Sequence, residues 1–81
     1  MNKEYKKIIS KLSLLDIEEA DVKEEMTLTE DLSLDSLSFV QMVLMLETAY
    51  NIKFDDDYIS MDKLKTIKDV EDYLKKKAGE Q

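Results

Sequence analysis

The sequence predicts an all-α fold: a small four-helix bundle of three long helices and one short one, with a long loop between the first two. Apolar residues recur at helical spacing in three separate stretches. Two Thr-x-x-acid motifs stand where helical turns would start. The alternation in Ile52-Lys53-Phe54 is too short to build a sheet on. At 81 residues the chain is read as one domain, 1–81, with a thin core.

The first helix is expected over about 3–15. Tyr5, Ile8, Ile9, Leu12 and Leu15 form one apolar stripe, with Lys6, Lys7 and Lys11 opposite. From Asp16 to Leu34 the apolar residues Ile17, Val22, Met26, Leu28 and Leu32 keep no period. This stretch reads as an ordered loop pinned to the core by those side chains, and Thr27-Leu28-Thr29-Glu30 has the form of a capping box. The second helix is expected over about 36–50, with Leu37, Val40, Val43, Leu44 and Ala49 on one run of spacings and Phe39, Met42, Leu46 and Tyr50 on another. A helix apolar over more than half its circumference is either central or presents a greasy face to partners. Asn51 is its expected stop. Asp55-Asp56-Asp57 opens a short third helix over about 56–61, since acids favour a first turn. Thr66-Ile67-Lys68-Asp69 caps the last helix, about 67–77, whose stripe is Ile67, Val70, Tyr73 and Leu74. Lys75 to Lys77 suit its C-terminal end, and Gly79 closes it.

Composition narrows the function. The chain carries 19 acidic and 12 basic side chains, all of the latter lysines, for a net charge of −7, and it has no His, Cys, Pro or Trp. Neither a zinc site, a disulfide framework nor thiol or imidazole catalysis is available. The charge excludes nucleic acid as a natural partner. No run is long enough to span a bilayer, and no signal peptide is expected, so the reading is a cytoplasmic, monomeric protein that binds something. Charge is uneven: residues 1–15 sum to +3 and residues 16–35 to −8.

Asp35-Ser36-Leu37 lies where the acidic loop meets the most apolar helix. Ser36 there is at or near an N-cap, where serine is common for its backbone hydrogen bond alone. The surrounding residues point further. Leu32-Ser33-Leu34-Asp35-Ser36-Leu37-Ser38-Phe39-Val40, the upstream Glu30-Asp31-Leu32, the run Leu46-Glu47-Thr48-Ala49-Tyr50-Asn51-Ile52-Lys53-Phe54, and Thr66-Ile67-Lys68-Asp69-Val70 with Tyr73-Leu74 together resemble the acyl and peptidyl carrier protein family. The resemblance implies a covalent 4′-phosphopantetheine arm on Ser36, with Asp35 and Leu37 beside it. Asp35 would help hold a metal ion or orient the group during transfer. It implies as partners a phosphopantetheinyl transferase, an acyl- or aminoacyl-loading ligase, and the synthases or transferases that use the carried thioester. It implies no enzymatic activity and no catalytic residue. A helix N-terminus suits an attached phosphodiester through its unpaired N–H groups and dipole.

The sequence departs from the pattern of fatty acid carriers in three ways. Ser33 and Leu34 stand where those carriers typically have a Gly before D-S-L, making the approach less permissive in backbone angle. The partner face of the second helix, Ser38, Val40, Gln41, Leu44 and Glu47 with Thr48, offers a single charge where those carriers present several acids. The stretch Phe54 to Thr66 is about two residues longer and lacks the common Pro. These features favour a carrier of nonribosomal peptide or polyketide type over one of housekeeping fatty acid synthesis. The reading from another class is a cofactor-free helical interaction module docking through its second helix, with Ser36 a plain cap or a phosphorylation switch. A hydrolase using Ser36 and Asp35 fails for lack of a base. Asp55-Asp56-Asp57 is no EF-hand, since Ser60 and Thr66 fall where Gly and Glu are needed, and no metal site is expected. Met42 and Met45 read as core filling, or as a pliable lining for an acyl chain.

Overall fold

The computed structural model describes residues 3–13 and 17–79. Within them the chain forms α1 (Glu4–Leu12), a 3₁₀ turn (Glu19–Asp21), α2 (Ser36–Tyr50), a second 3₁₀ turn (Asp56–Tyr58) and α3 (Ile67–Gly79). There is no strand among the described residues, only an isolated antiparallel bridge between Thr27 and Thr66. The all-α expectation holds, but three α-helices form rather than four.

The expected stripes make the core. Tyr5, Ile8 and Ile9 of α1 meet Phe39, Met42, Val43 and Leu46 of α2 and Ile67, Val70, Tyr73 and Leu74 of α3, all buried. The start of α1 is tied to the end of α2 by the Tyr5 N–H donating to the Tyr50 hydroxyl at 2.9 Å. Asn51 stops α2 in the left-handed conformation, φ 54°, as Asn tolerates. The Glu47 carboxylate then accepts from the Phe54 N–H at 2.8 Å and fixes the turn that follows.

Two boundaries differ from expectation. Helix α1 ends at Leu12, because Ser13 is extended and its hydroxyl donates to the Leu32 carbonyl at 2.7 Å. That bond turns the chain toward the loop; Leu15, expected on the helical stripe, lies outside the described residues. The expected helix over 56–61 is a single 3₁₀ turn. Its apolar residues do not share one helical face: Tyr58 stacks on Tyr73 at 4.5 Å between ring centroids, while Ile59 stays exposed. The neighbouring Asp55 is held by the Tyr73 hydroxyl and by the Lys77 ammonium, so tertiary contacts shape the segment.

The long loop does the work of a missing helix. Val22, Leu28, Leu32 and Leu34 are buried, and its carbonyls serve α3. The Ile67 N–H donates to Met26 O at 3.0 Å and the Lys68 N–H to Glu24 O at 2.9 Å. The Asp69 N–H donates to Thr66 Oγ1 while the Asp69 carboxylate accepts from the Thr66 N–H, the expected capping box. All the orphan donors at the start of α3 are thereby satisfied. The box expected at Thr27 also forms, but its return acid is Asp31, not Glu30: Thr27 N–H donates to Asp31 Oδ2 at 2.8 Å, and Thr27 Oγ1 accepts from the Asp31 N–H.

One buried charge was not anticipated. Glu71 is 2% exposed and accepts hydrogen bonds from the Tyr5 hydroxyl and, at 3.2 Å, from the Lys3 ammonium. The Tyr5 hydrogen bond, with help from Lys3 and Lys75, holds the Glu71 carboxyl down at about 2, against an ordinary 4.5, despite burial pushing it up. A depressed carboxyl contributes stability above its unfolded value and loses it as pH falls through the folded one. Glu71→Gln is expected to lower stability by about 2–3 kcal/mol at neutral pH. The gap between variant and wild type closes as pH falls from about 4.5 toward 2. Urea unfolding across that window checks both the size and the direction.

Candidate functional site

The approach to Ser36 is set by alternating buried and exposed residues. Leu32 and Leu34 are inserted in the core, and Leu34 N–H donates to Leu28 O at 2.8 Å. Ser33 between them has φ 52°, the left-handed region that a side chain disfavours. The backbone therefore needs there what Gly supplies without strain, and the sequence supplies Ser. Asp35 is the N-cap of α2: its Oδ1 accepts from the Ser38 N–H at 2.8 Å, and its carbonyl accepts from the Phe39 N–H at 2.9 Å. That Ser38 hydrogen bond keeps the Asp35 carboxyl below the usual carboxylate range, so it is ionised and fixed in place.

Ser36 is thus not the cap but the first residue of α2, and it is exposed. The capping function that a lone serine would explain is performed by Asp35. Ser36 and its neighbour Leu37, 68% exposed, are both open to solvent. In the first turn the Asp35 carboxylate takes up the Ser38 N–H and also faces that of Leu37, where α3 has its own bound by loop carbonyls. An attached phosphodiester fits: the hydroxyl is unobstructed, the helix dipole is positive there, and Asp35 is already held by Ser38 and cannot swing across the hydroxyl without losing that bond. No group of His, Cys, Asp or Glu that could hold a metal ion occurs among the described residues.

Beyond Ser36, α2 shows an apolar strip to solvent. Leu37, Val40 and Leu44 lie at i, i+3 and i+7 and are 68, 44 and 57% exposed, with Gln41 exposed beside them. Leu44 does not pack into the core. Met45 is 40% exposed whereas Met42 is fully buried, so the core-filling reading holds for Met42 only. Of the other expected partner residues, Ser38 is half-buried with its N–H on Asp35, and half-buried Glu47 has its carboxylate on the Phe54 N–H. Neither is as open as Leu37, Val40, Gln41 and Leu44.

What the sequence reading missed is Glu71, which falls at i+4 from Ile67 and thus on the buried side of α3. An acid inside an apolar stripe was the available signal. It also missed how Lys7 and Lys11 of α1 border Leu44 and Met45. Nothing in a linear pattern brings those residues together.

Comparison with known proteins bears directly on this geometry. Residues 11–74 match the family described as phosphopantetheine attachment site. The acyl carrier protein of Desulforapulum autotrophicum is 42% identical over 74 residues, covering 90% of this chain and 91% of that protein. That of Thermotoga maritima is 38% identical over 65 residues, 80% of this chain and 78% of its own. That of Bdellovibrio bacteriovorus is 36% identical over 63 residues, 78% of each.

The strain at Ser33 gives a direct test of the approach loop. Ser33→Gly is expected to raise stability by about 0.5–1 kcal/mol, the relief at φ 52° exceeding the added unfolded-chain entropy. Ser33→Val should lower it, both by denaturant titration.

Proposed function

Because the chain belongs to the phosphopantetheine attachment family of acyl carrier proteins, which bear a covalent 4′-phosphopantetheine and are not enzymes, we propose that its attachment atom is Ser36 Oγ. The observation that carries this reading is an exposed hydroxyl on the first residue of α2 that the helix does not need for its own capping. A phosphopantetheinyl transferase meets that hydroxyl in open solvent. Asp35 is held ionised beside it, and the positive end of the helix dipole favours the phosphodiester once formed. When bound, the arm supplies a thiol on which acyl or aminoacyl groups are carried as thioesters. The chain's own residues hold the arm's root rigid and give partner enzymes a surface to dock on.

That surface is the strip Leu37, Val40, Gln41 and Leu44. Carriers of this family work with synthases and transferases; the strip says what kind would suit this one. It carries no charge among those residues, so encounter depends on apolar contact more than on steering. This supports a dedicated carrier of nonribosomal peptide or polyketide type, loaded by its own acyl or aminoacyl ligase. The housekeeping fatty acid carrier is the second reading, favoured by the breadth of identity to proteins named simply acyl carrier protein.

Intact mass after incubation with coenzyme A and a broad-specificity phosphopantetheinyl transferase tests the attachment. One arm adds to the wild type and none to Ser36→Ala. No addition to the folded wild type would leave a cofactor-free docking module. Pathway is read separately: Leu44→Glu, which gives the strip an acid, should raise loading by a malonyl transferase of fatty acid synthesis by about tenfold. Equal loading of wild type and variant would favour the housekeeping role.

A further inference from the structure

A groove of about 460 Å³ runs between α1 and α2, apart from Ser36 and toward the other end of α2. It is lined by Ile8, Leu44, Met45, Thr48 and Ala49, with Glu4, Lys7 and Lys11 along its α1 side, so that the acid stands at one end and the two lysines follow it. Leu44 and Met45 are two of the five large hydrophobic residues exposed among the described residues. Such apolar area left open on a small domain marks a contact surface.

The charge on the wall says what kind of contact. The molecule is strongly acidic, yet its first fifteen residues sum to +3. Six lysines elsewhere are engaged: Lys3 and Lys75 on Glu71, Lys68 on Asp72, Lys77 on Asp55, and Lys63 and Lys76 over the Tyr58 ring. Among the described residues the ammonium groups of Lys7 and Lys11 make no ion pair. They are exposed, one helical turn apart, above an apolar floor. The α1 side of the groove runs from Glu4 to Lys11, roughly 10 Å, or two helical turns.

We propose that this groove is a docking site for a partner protein's amphipathic helix, whose apolar stripe is bordered by Asp or Glu. Two turns of such a helix lay apolar side chains on Ile8, Leu44, Met45 and Ala49 while its carboxylates meet Lys7 and Lys11. The site is open along its length, which suits a helix more than an enclosed small molecule. A second copy of this chain is disfavoured by mutual repulsion at net charge −7. The proposal goes beyond the attachment of an arm to Ser36 and does not depend on it. A partner held there leaves Ser36, Leu37 and Val40 open and shares only Leu44 with the strip described above.

The test titrates the ¹⁵N-labelled full chain, unmodified, with a fifteen-residue helical peptide whose Leu stripe is flanked by Glu, and with its Lys-flanked counterpart. The expected result is saturable shifts at Lys7, Ile8, Lys11, Leu44, Met45 and Ala49 with the Glu peptide only. Lys7→Gln/Lys11→Gln should weaken it by about tenfold and flatten its salt dependence. The same double variant should accept the phosphopantetheine arm as wild type does, so failure here is distinguishable from failure of the Ser36 assignment. Equal binding of the Lys peptide, shifts confined to Leu37 and Val40, or no shifts with either peptide would overturn the proposal. So would groove shifts on diluting the protein alone, which assign it to a second copy. Groove shifts on loading a decanoyl arm without peptide would assign it to cargo and equally overturn it.

Discussion

The anchoring of the loop between α1 and α2 is the constraint on which the rest depends. Leu28, Leu32 and Leu34 are buried, and the main chain around them closes on α3 through Leu28 N–H to Lys65 O and Ile67 N–H to Met26 O. Burying three leucines stabilises the loop by several kcal/mol, roughly 1.5–3 each against full exposure, before entropy is subtracted. The loop must stay ordered because α2 and α3 both begin from it. Its carbonyls complete the start of α3, and its last buried residue, Leu34, fixes where α2 begins. Ser33 tolerates a left-handed backbone because leucines on both sides are already committed.

From that anchoring follows the division of labour at the start of α2. Asp35 caps the helix, so Ser36 is released from the usual duty of a serine there and stands in solvent. Leu37, Val40 and Leu44 continue outward along the same helix, and their exposure is an energetic concession that packing alone does not explain. A chain without His or Cys has no imidazole base and no thiol nucleophile of its own. What it presents is a capped helix start, an exposed hydroxyl and faces of differing polarity. The acid-rich loop, the neutral strip of α2 and the lysines of α1 present three distinct surfaces within one small domain.

Much of this was legible in the sequence, for identifiable reasons. The limits of α2 were clear because its apolar spacing is dense and Asn51 is a good left-handed stop. The Thr66–Asp69 box was clear because capping is local. The end of α1 was not, since it depends on a hydroxyl reaching Leu32 nineteen residues away. The segment after Asp55 was misread as a helix because its shape comes from Tyr58 stacking on Tyr73, a tertiary contact that no periodicity records. At the candidate site, Asp35-Ser36-Leu37 could be picked out, but which residue caps the helix needed coordinates. The departure at Ser33 was visible as a missing Gly; that the backbone nevertheless takes the Gly conformation was not. Glu47 shows another limit: its place on the outer run of α2 suggests a partner contact, and that its carboxylate also accepts from the Phe54 N–H is not visible in the sequence.

The claim that Ser36 is displayed by a preformed, pinned loop is tested most directly by native-state hydrogen exchange of the unmodified protein, read at the Leu28, Leu34 and Phe39 amides. These bond to Lys65 O, Leu28 O and Asp35 O respectively. The account predicts that all three exchange only with global unfolding, alongside the core amides of α2. Exchange at unfolded-chain rates for Leu28 and Leu34, while the middle of α2 stays protected, would contradict it. The start of α2 would then be ordered by its partner enzymes and not by the loop.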